Sequence, residues 1–419
     1  MQSELSTANS KNRVTYSYLL VKILLVRDSN EKNIGPVKLM RAGAIHIRKE
    51  NMTKIGFIIH GYKGKSHYWN GNVKPFVDLS YGLKIIGEEP VLFIDKAQEH
   101  LKEKINSITQ ADVPLVYFTE SNLENLILEN DVKYLIVEDD LELMKNVLMF
   151  QTKDLKLGVF VQYLYGVNTN KQHKRAGSIA LTVGSYLPWR FVIMKYRNLI
   201  RKFDFIIANS QACGYLLRHF YDVSPAGIVY PPVGVDMKSI LSVRNINDKK
   251  NGLLIFAGNI ENDYFLRDIF AEIIDFKHRM SEPVRVFVSN PDTAATFSKE
   301  GIEVYSNVTV EELVSLYSKS KFTYVPTAYE LFGYVGAESL LCGTPVILDT
   351  YHPFLELVPM NTNAVRIAHS KSKISDIAKD MNDEAINMKT ATEYIDTLYS
   401  AEESAKSLLR ILDLCSLSK

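Results

Sequence analysis

From Met52 onward, short apolar runs alternate with longer stretches of helical period. The runs at residues 54–59, 90–94, 115–118, 133–137, 158–163 and 205–208 are rich in Ile, Val, Leu and Phe. Continuous apolar runs of this length predict strands covered on both faces, while stretches such as 141–150 and 211–220 space their apolar residues at helical intervals. Strands of that kind need parallel βαβ winding with helices above and below. After a charged, Asn-rich stretch at 242–252, the alternation resumes: LLIFAG with a helix to residue 274, VRVFVS at 284–289, a short strand at 303–305 and a helix at 310–320. The pattern predicts an α/β protein of two Rossmann-like domains, residues 52–240 and 250–390, the boundary falling between Val235 and Gly252. Residues 391–414 form one long helical pattern within a final segment, 391–419. Residues 1–51 read either as an extension or as an added strand or helix on the first domain.

Composition adds limits. The chain has 419 residues, 46% of them hydrophobic, and 49 Lys and Arg balance 48 Asp and Glu, a net charge of +1. Two cores can be buried at this length, and the charge balance excludes a typical nucleic-acid binder. Cys213, Cys342 and Cys415 are few and widely spaced, which fits a reducing compartment and offers no metal-binding spacing. Residues 16–27, YSYLLVKILLVR, are too short and too interrupted by charge for a membrane span, and no small-residue cleavage site follows them. A cytoplasmic protein is expected, with peripheral contact at a membrane surface left open.

Chemistry concentrates in residues 326–348, PTAYELFGYVGAESLLCGTPVIL. Glu330 and Glu338 stand seven residues apart around an uncharged, glycine-bearing segment. The run at 321–325 predicts a strand that Pro326 ends. A helix should begin near Tyr334 and stop at Gly343, and PVIL follows as a second strand. The backbone N–H groups of Phe332, Gly333 and Tyr334 at such a helix start suit a phosphate. Glu338, about one turn in, can accept hydrogen bonds from a hydroxyl pair. The alternative is that Glu330 caps the helix and Glu338 is a surface residue.

This segment resembles the E-x7-E signature of retaining glycosyltransferases of the GT-B fold, those of glycosyl transferase family 4. Phe332-Gly333, both glutamates, Gly343, Pro345 and Val346-Ile347 all fall in register. Ser210 and the turn Pro232-Val233-Gly234-Val235-Asp236 extend the likeness to the close of the first domain. The resemblance implies two Rossmann-like domains facing each other across a cleft, with a last helix crossing back to the first. It implies a nucleotide-sugar donor, a sugar or lipid-linked acceptor on the first domain, and neither metal nor cofactor. Glu330 would hold donor-sugar hydroxyls and steady charge at the anomeric centre, and Glu338 would hold the ribose. Gly258, Asn259 and Glu356 would complete the donor side, and Gly61, Lys63 and Gly64 are phosphate or cleft-loop candidates.

The chain also departs from that pattern. Where relatives carry an arginine and a lysine for the diphosphate, residues 258–263 read GNIEND, without a cation, so Lys63, Lys171 or Lys174 would have to substitute. The paired glycines near residues 349–359 are missing, as are histidines at 136–140 and 161–166. Glu138 or Asp139 can orient an acceptor hydroxyl instead. The other reading makes Asp139 or Asp140 the cap of the next helix. Helix 186–203 carries Arg190, Lys195, Arg197, Arg201 and Lys202, and reads as a membrane-surface helix or as a plain domain helix. Sugar transfer is the expected activity, and a catalytically silent GT-B scaffold is the alternative.

Overall fold

The computed structural model describes residues 53–60, 73–150, 154–162, 186–243, 250–258, 263–288, 291–306, 308–326, 331–348, 356, 358, 362–368 and 373–417. Gly61, Lys63, Gly64, Asn259, Glu330, the basic loop 168–175 and the extension 1–51 lie outside them.

The first domain is a seven-stranded parallel sheet in the order β3-β2-β1-β4-β5-β6-β7. Its strands are β1 (Lys54–Ile59), β2 (Glu89–Asp95), β3 (Leu115–Phe118), β4 (Tyr134–Glu138), β5 (Lys156–Val161), β6 (Phe205–Ala208) and β7 (Gly227–Ile228). Connecting helices are α1 (Val73–Ile85), α2 (Lys102–Thr109), α3 (Leu123–Glu129), α4 (Leu141–Val147), α5 (Tyr186–Ile200) and α6 (Gln211–Tyr221), and α7 (Lys238–Val243) leads out of the domain. β1 is buried on both faces because both neighbours run parallel to it, Ile55 facing Pro90 on one side and Tyr134 on the other.

The second domain repeats the plan with a six-stranded parallel sheet, β10-β9-β8-β11-β12-β13. Its strands are β8 (Leu253–Gly258), β9 (Val284–Val288), β10 (Glu303–Tyr305), β11 (Phe322–Val325), β12 (Val346–Leu348) and β13 (Val365–Ile367). Between them come α8 (Asp263–Met280), α9 (Pro291–Lys299), α10 (Val310–Lys319) and α11 (Tyr334–Leu341), followed by α12 (Ile374–Asp383), α13 (Met388–Leu398) and α14 (Ala401–Leu417).

The helical pattern expected to run unbroken over 391–414 is two helices, interrupted at Tyr399 and Ser400. The break has a use. α13 packs on α11, and α14 leaves the second domain to put Ala405, Leu408, Ile411 and Leu412 into the core of the first. Each buried Leu or Ile there contributes roughly 2 kcal/mol of apolar burial, so the final helix ties the two sheets together.

Candidate functional site

In a parallel sheet every helix that follows a strand starts at the carboxyl edge, so α1 and α11 both present their first turns to the junction of the domains. α11 is pinned there by side chains that bond backward. Ser339 Oγ donates to Thr323 Oγ1 (2.7 Å) on β11, and Thr344 Oγ1 donates to the Tyr317 carbonyl (2.7 Å) on α10. Lys250 Nζ donates to Thr344 Oγ1 (2.9 Å) and to the Gly343 carbonyl, and Thr392 Oγ1 on α13 donates to the Leu340 carbonyl (2.8 Å). Gly333 enters the helix at φ 98° and Gly343 leaves it at φ 73°, conformations that side chains resist. Beneath the entry Phe332 is 4% exposed and packs edge-on against Tyr334, 4.9 Å between ring centres.

So held, α11 places Glu338 in its second turn with 8% of its surface exposed. Tyr317 donates its hydroxyl to Glu338 Oε2 at 3.3 Å. From the first domain, Lys74 in the first turn of α1 supplies the nearest opposing charge, while Asp236 and Asp78 add like charge. Lys74 is itself 6% exposed. Its Nζ lies 2.7 Å from Asp236 Oδ1 and 3.3 Å from Asp78 Oδ2, one helical turn along α1. Burial works against the lysine's charge, but Asp78, Asp236 and Glu338 outweigh it and hold Lys74 above its ordinary range. Burial likewise pushes Glu338 up to about 7, with Lys74 opposing, and Asp78 up to about 7. Lys104 on α2 sees Asp236 and Asp78, yet burial brings it below its ordinary value. The Tyr334 hydroxyl is buried without a hydrogen-bond partner among the described residues, within the field of Asp78, Glu338 and Asp236.

Gly258 closes β8. Glu356, read as a donor-sugar contact, instead accepts the Gln211 and Ala212 N–H groups at 2.9 and 2.7 Å, at the start of α6 in the first domain. Asp139 is 1% exposed and accepts from the Gln162 N–H (2.9 Å) and the Tyr196 hydroxyl (3.1 Å), so the first domain's own framework occupies it. The helix cap is Asp140, which accepts from the Glu142 and Leu143 N–H groups. Glu138 is buried at the end of β4, 5% exposed. Among the described residues no group of three or more His, Cys, Asp or Glu is disposed to hold a metal ion.

Lys74 and Asp78 were missed in the sequence. Their four-residue spacing was visible, but a Lys–Asp pair on a helix ordinarily marks a solvated face. Asp236 was read only as the end of a boundary turn.

Residues 293–398 match the family model for glycosyl transferases group 1. A D-inositol 3-phosphate glycosyltransferase of Segniliparus rotundus is 27% identical over 36% of this chain, and the aligned stretch spans 38% of that relative's length. Among solved structures, the sucrose-phosphate synthase of Thermosynechococcus elongatus superposes with a TM-score of 0.60 at 13% identity, covering 88% of this chain and 100% of that one. Anabaena HepE, solved with UDP and glucose, superposes with a TM-score of 0.58 at 13% identity, covering 86% and 99%. Residues 293–398, which contain α11 and Glu338, thus match the model for glycosyl transferases group 1, and the chain as a whole carries the GT-B fold.

Proposed function

We propose that this protein transfers a sugar from a nucleotide-sugar donor to a hydroxyl-bearing acceptor with retention of the anomeric configuration. The observation that carries the reading is the construction at the start of α11, where Glu338 and the Tyr334 hydroxyl, unpartnered among the described residues, stand together at the domain junction. The first-turn N–H groups of that helix suit a diphosphate, and an ionised Glu338 suits the ribose hydroxyl pair. Glu330 holds the transferred sugar in this reading. On one face of the anomeric carbon, the bond to the donor phosphate breaks as the bond to the acceptor oxygen forms. The departing phosphate oxygen takes the acceptor proton, so no separate base is required. Helix amides and protein cations steady the leaving diphosphate, and no metal enters the scheme.

Contact with a membrane surface belongs to the same proposal. Phe191 and Met194 on α5 are 63% and 53% exposed, with Lys195 exposed beside them. Arg197 on α5 and Arg201 just past its end are used internally, since both close on Asp222.

The test is nucleotide release from UDP-, GDP- and ADP-sugars, wild type against Glu330→Gln, with the anomeric configuration of the product read by NMR. One donor class should be turned over, and the variant should lose at least about ten-fold, roughly 1.4 kcal/mol of transition-state stabilisation. A second reading, a nucleotide-sugar-binding scaffold without turnover, is favoured by the cation-free sequence at 258–263. Binding without release by either protein would select it.

A further inference from the structure

α11 presents its first turn to the domain junction, so its last turn lies at the opposite, amino edge of the second sheet, about 12 Å away along the helix. A cation closes that far end. Lys250, which precedes β8, is half-buried, and its Nζ donates to the Gly343 carbonyl and to Thr344 Oγ1 at 2.9 Å. Burial brings the ammonium below its ordinary value, and no carboxylate offsets it among the described residues. A methionine would fill the same space without that cost. What balances the charge is the carbonyl end of α11, where the helix dipole favours a cation.

Two routes of hydrogen bonds lead from Lys250 to Glu338. One follows α11 itself, where the Cys342 N–H, one residue before the lysine's partner Gly343, donates to the Glu338 carbonyl at 3.0 Å. The other crosses α10. Thr344 Oγ1, fully buried, donates to the Tyr317 carbonyl at 2.7 Å, and Tyr317 donates its hydroxyl to Glu338 Oε2 at 3.3 Å. The backbone and the carboxylate of Glu338 are thus both referred to one ammonium. Lys250 in turn has a fixed footing. The neighbouring Asn251 N–H donates to the Lys319 carbonyl (2.8 Å), and buried Arg285 donates to the Asn251 carbonyl (2.9 Å) and to its Oδ1 (2.7 Å).

We propose that Lys250 is a positioning residue of the donor site: it holds α11 from the far end and so fixes where Glu338 and the first-turn N–H groups stand. Its hold on α11 is independent of the transferase reading. That the ligand gripped at the other end is a nucleotide rests on it.

Two measurements on the full chain keep these apart: hydrogen exchange of residues 334–342, and affinity for UDP, GDP and ADP by calorimetry, both well below each protein's unfolding midpoint. Asp275→Ala is the control for general destabilisation, since Asp275 accepts from Arg279, Lys373 and Ser375 on the α8 and α12 side of the same domain. Lys250→Met should speed the exchange by about ten-fold or more, and weaken whichever nucleotide wild type binds by about five-fold or more. Lys250→Arg should restore both to within about two-fold of wild type, because it keeps the charge at the helix end. Asp275→Ala should move neither. Thr344→Val should also weaken the nucleotide, and the double variant should be no weaker than Lys250→Met alone, since the two act through one connection. Unchanged exchange in Lys250→Met overturns the proposal, as does faster exchange with nucleotide affinity unmoved. A loss that arginine does not restore, that Asp275→Ala reproduces, or that adds fully to Thr344→Val overturns it too. If no protein binds a nucleotide while the exchange differences hold, the donor reading falls and the hold of Lys250 on α11 stands.

Discussion

Three carboxylates, Asp78, Asp236 and Glu338, share the field of Lys74 where the two domains adjoin, and Lys104 reaches the first two. With more acids than bases under cover, one carboxyl holds its proton to higher pH than it would in water, and burial places both Asp78 and Glu338 near 7. The consequence for stability has a definite sign. Between its ordinary value of 3.8 and about 7, Asp78 binds more proton in the folded chain than in the unfolded one, so its contribution is fully present below that window and declines as pH rises through it. Asp78→Asn removes the titration. Relative to wild type, this variant should therefore gain about 2 to 4 kcal/mol in stability between pH 4 and pH 8, measured by urea unfolding at both ends. A stability difference independent of pH would show that Asp78 is ionised throughout. Donor binding should follow the opposite course in pH, because only the ionised Glu338 accepts hydrogen bonds with both oxygens. None of this was legible in the sequence. The E-x7-E spacing marks Glu338, but what sets its charge is burial opposed by Lys74, 264 positions earlier, and a lysine in a first turn ordinarily faces water.

Elements were more readable than their partners. Strands at Lys54–Ile59, Leu115–Phe118 and Phe205–Ala208 appear where the apolar runs predict them, since a strand covered on both faces leaves an unbroken apolar signature. α11 also starts at Tyr334 and gives way to Gly343 as read, because glycine and proline punctuate it. The break between α13 and α14 was invisible, since YSAEE keeps helical composition across it and only a change of packing partner ends the first helix. That partner is α1. A Cβ added at Gly82 would lie 2.0 Å from the Ala401 carbonyl oxygen, so the two helices meet backbone to backbone. Gly82→Val should wedge α14 away from α1 and cost about 1 to 3 kcal/mol, the usual range for overpacking against structure that cannot yield. The urea midpoint reports it, and an unchanged midpoint would mean that the helix pair is free to slide apart at no cost.

For the whole molecule, the question is what holds the domains in this relative position. α14 supplies an apolar tie and the Lys74 cluster a polar one. Glu356 makes a third contact of a different kind: a single side chain of the second domain completes a helix of the first. Ser210 Oγ accepts the Cys213 N–H (3.0 Å) and the Gly214 N–H bonds within the helix, so only Gln211 and Ala212 lack intrinsic partners at the start of α6, and Glu356 takes both. A carboxylate at a helix N-terminus is favoured by both hydrogen bonding and the dipole. Burial raises the Glu356 carboxyl, while the two N–H groups and Tyr230 lower it. Glu356→Ala should leave two N–H donors to water or unpaired, costing about 2 kcal/mol, and should loosen one of the ties between the domains. Small-angle scattering should then give a larger radius of gyration for the variant than for wild type, with circular dichroism unchanged because each sheet is intact. Glu356→Gln, whose amide oxygen can accept only one strong bond, should fall between the two. If all three proteins scatter alike and unfold alike, the contact holds nothing, and the other ties, the packing of α14 and the Lys74 cluster among them, set how the two sheets face each other.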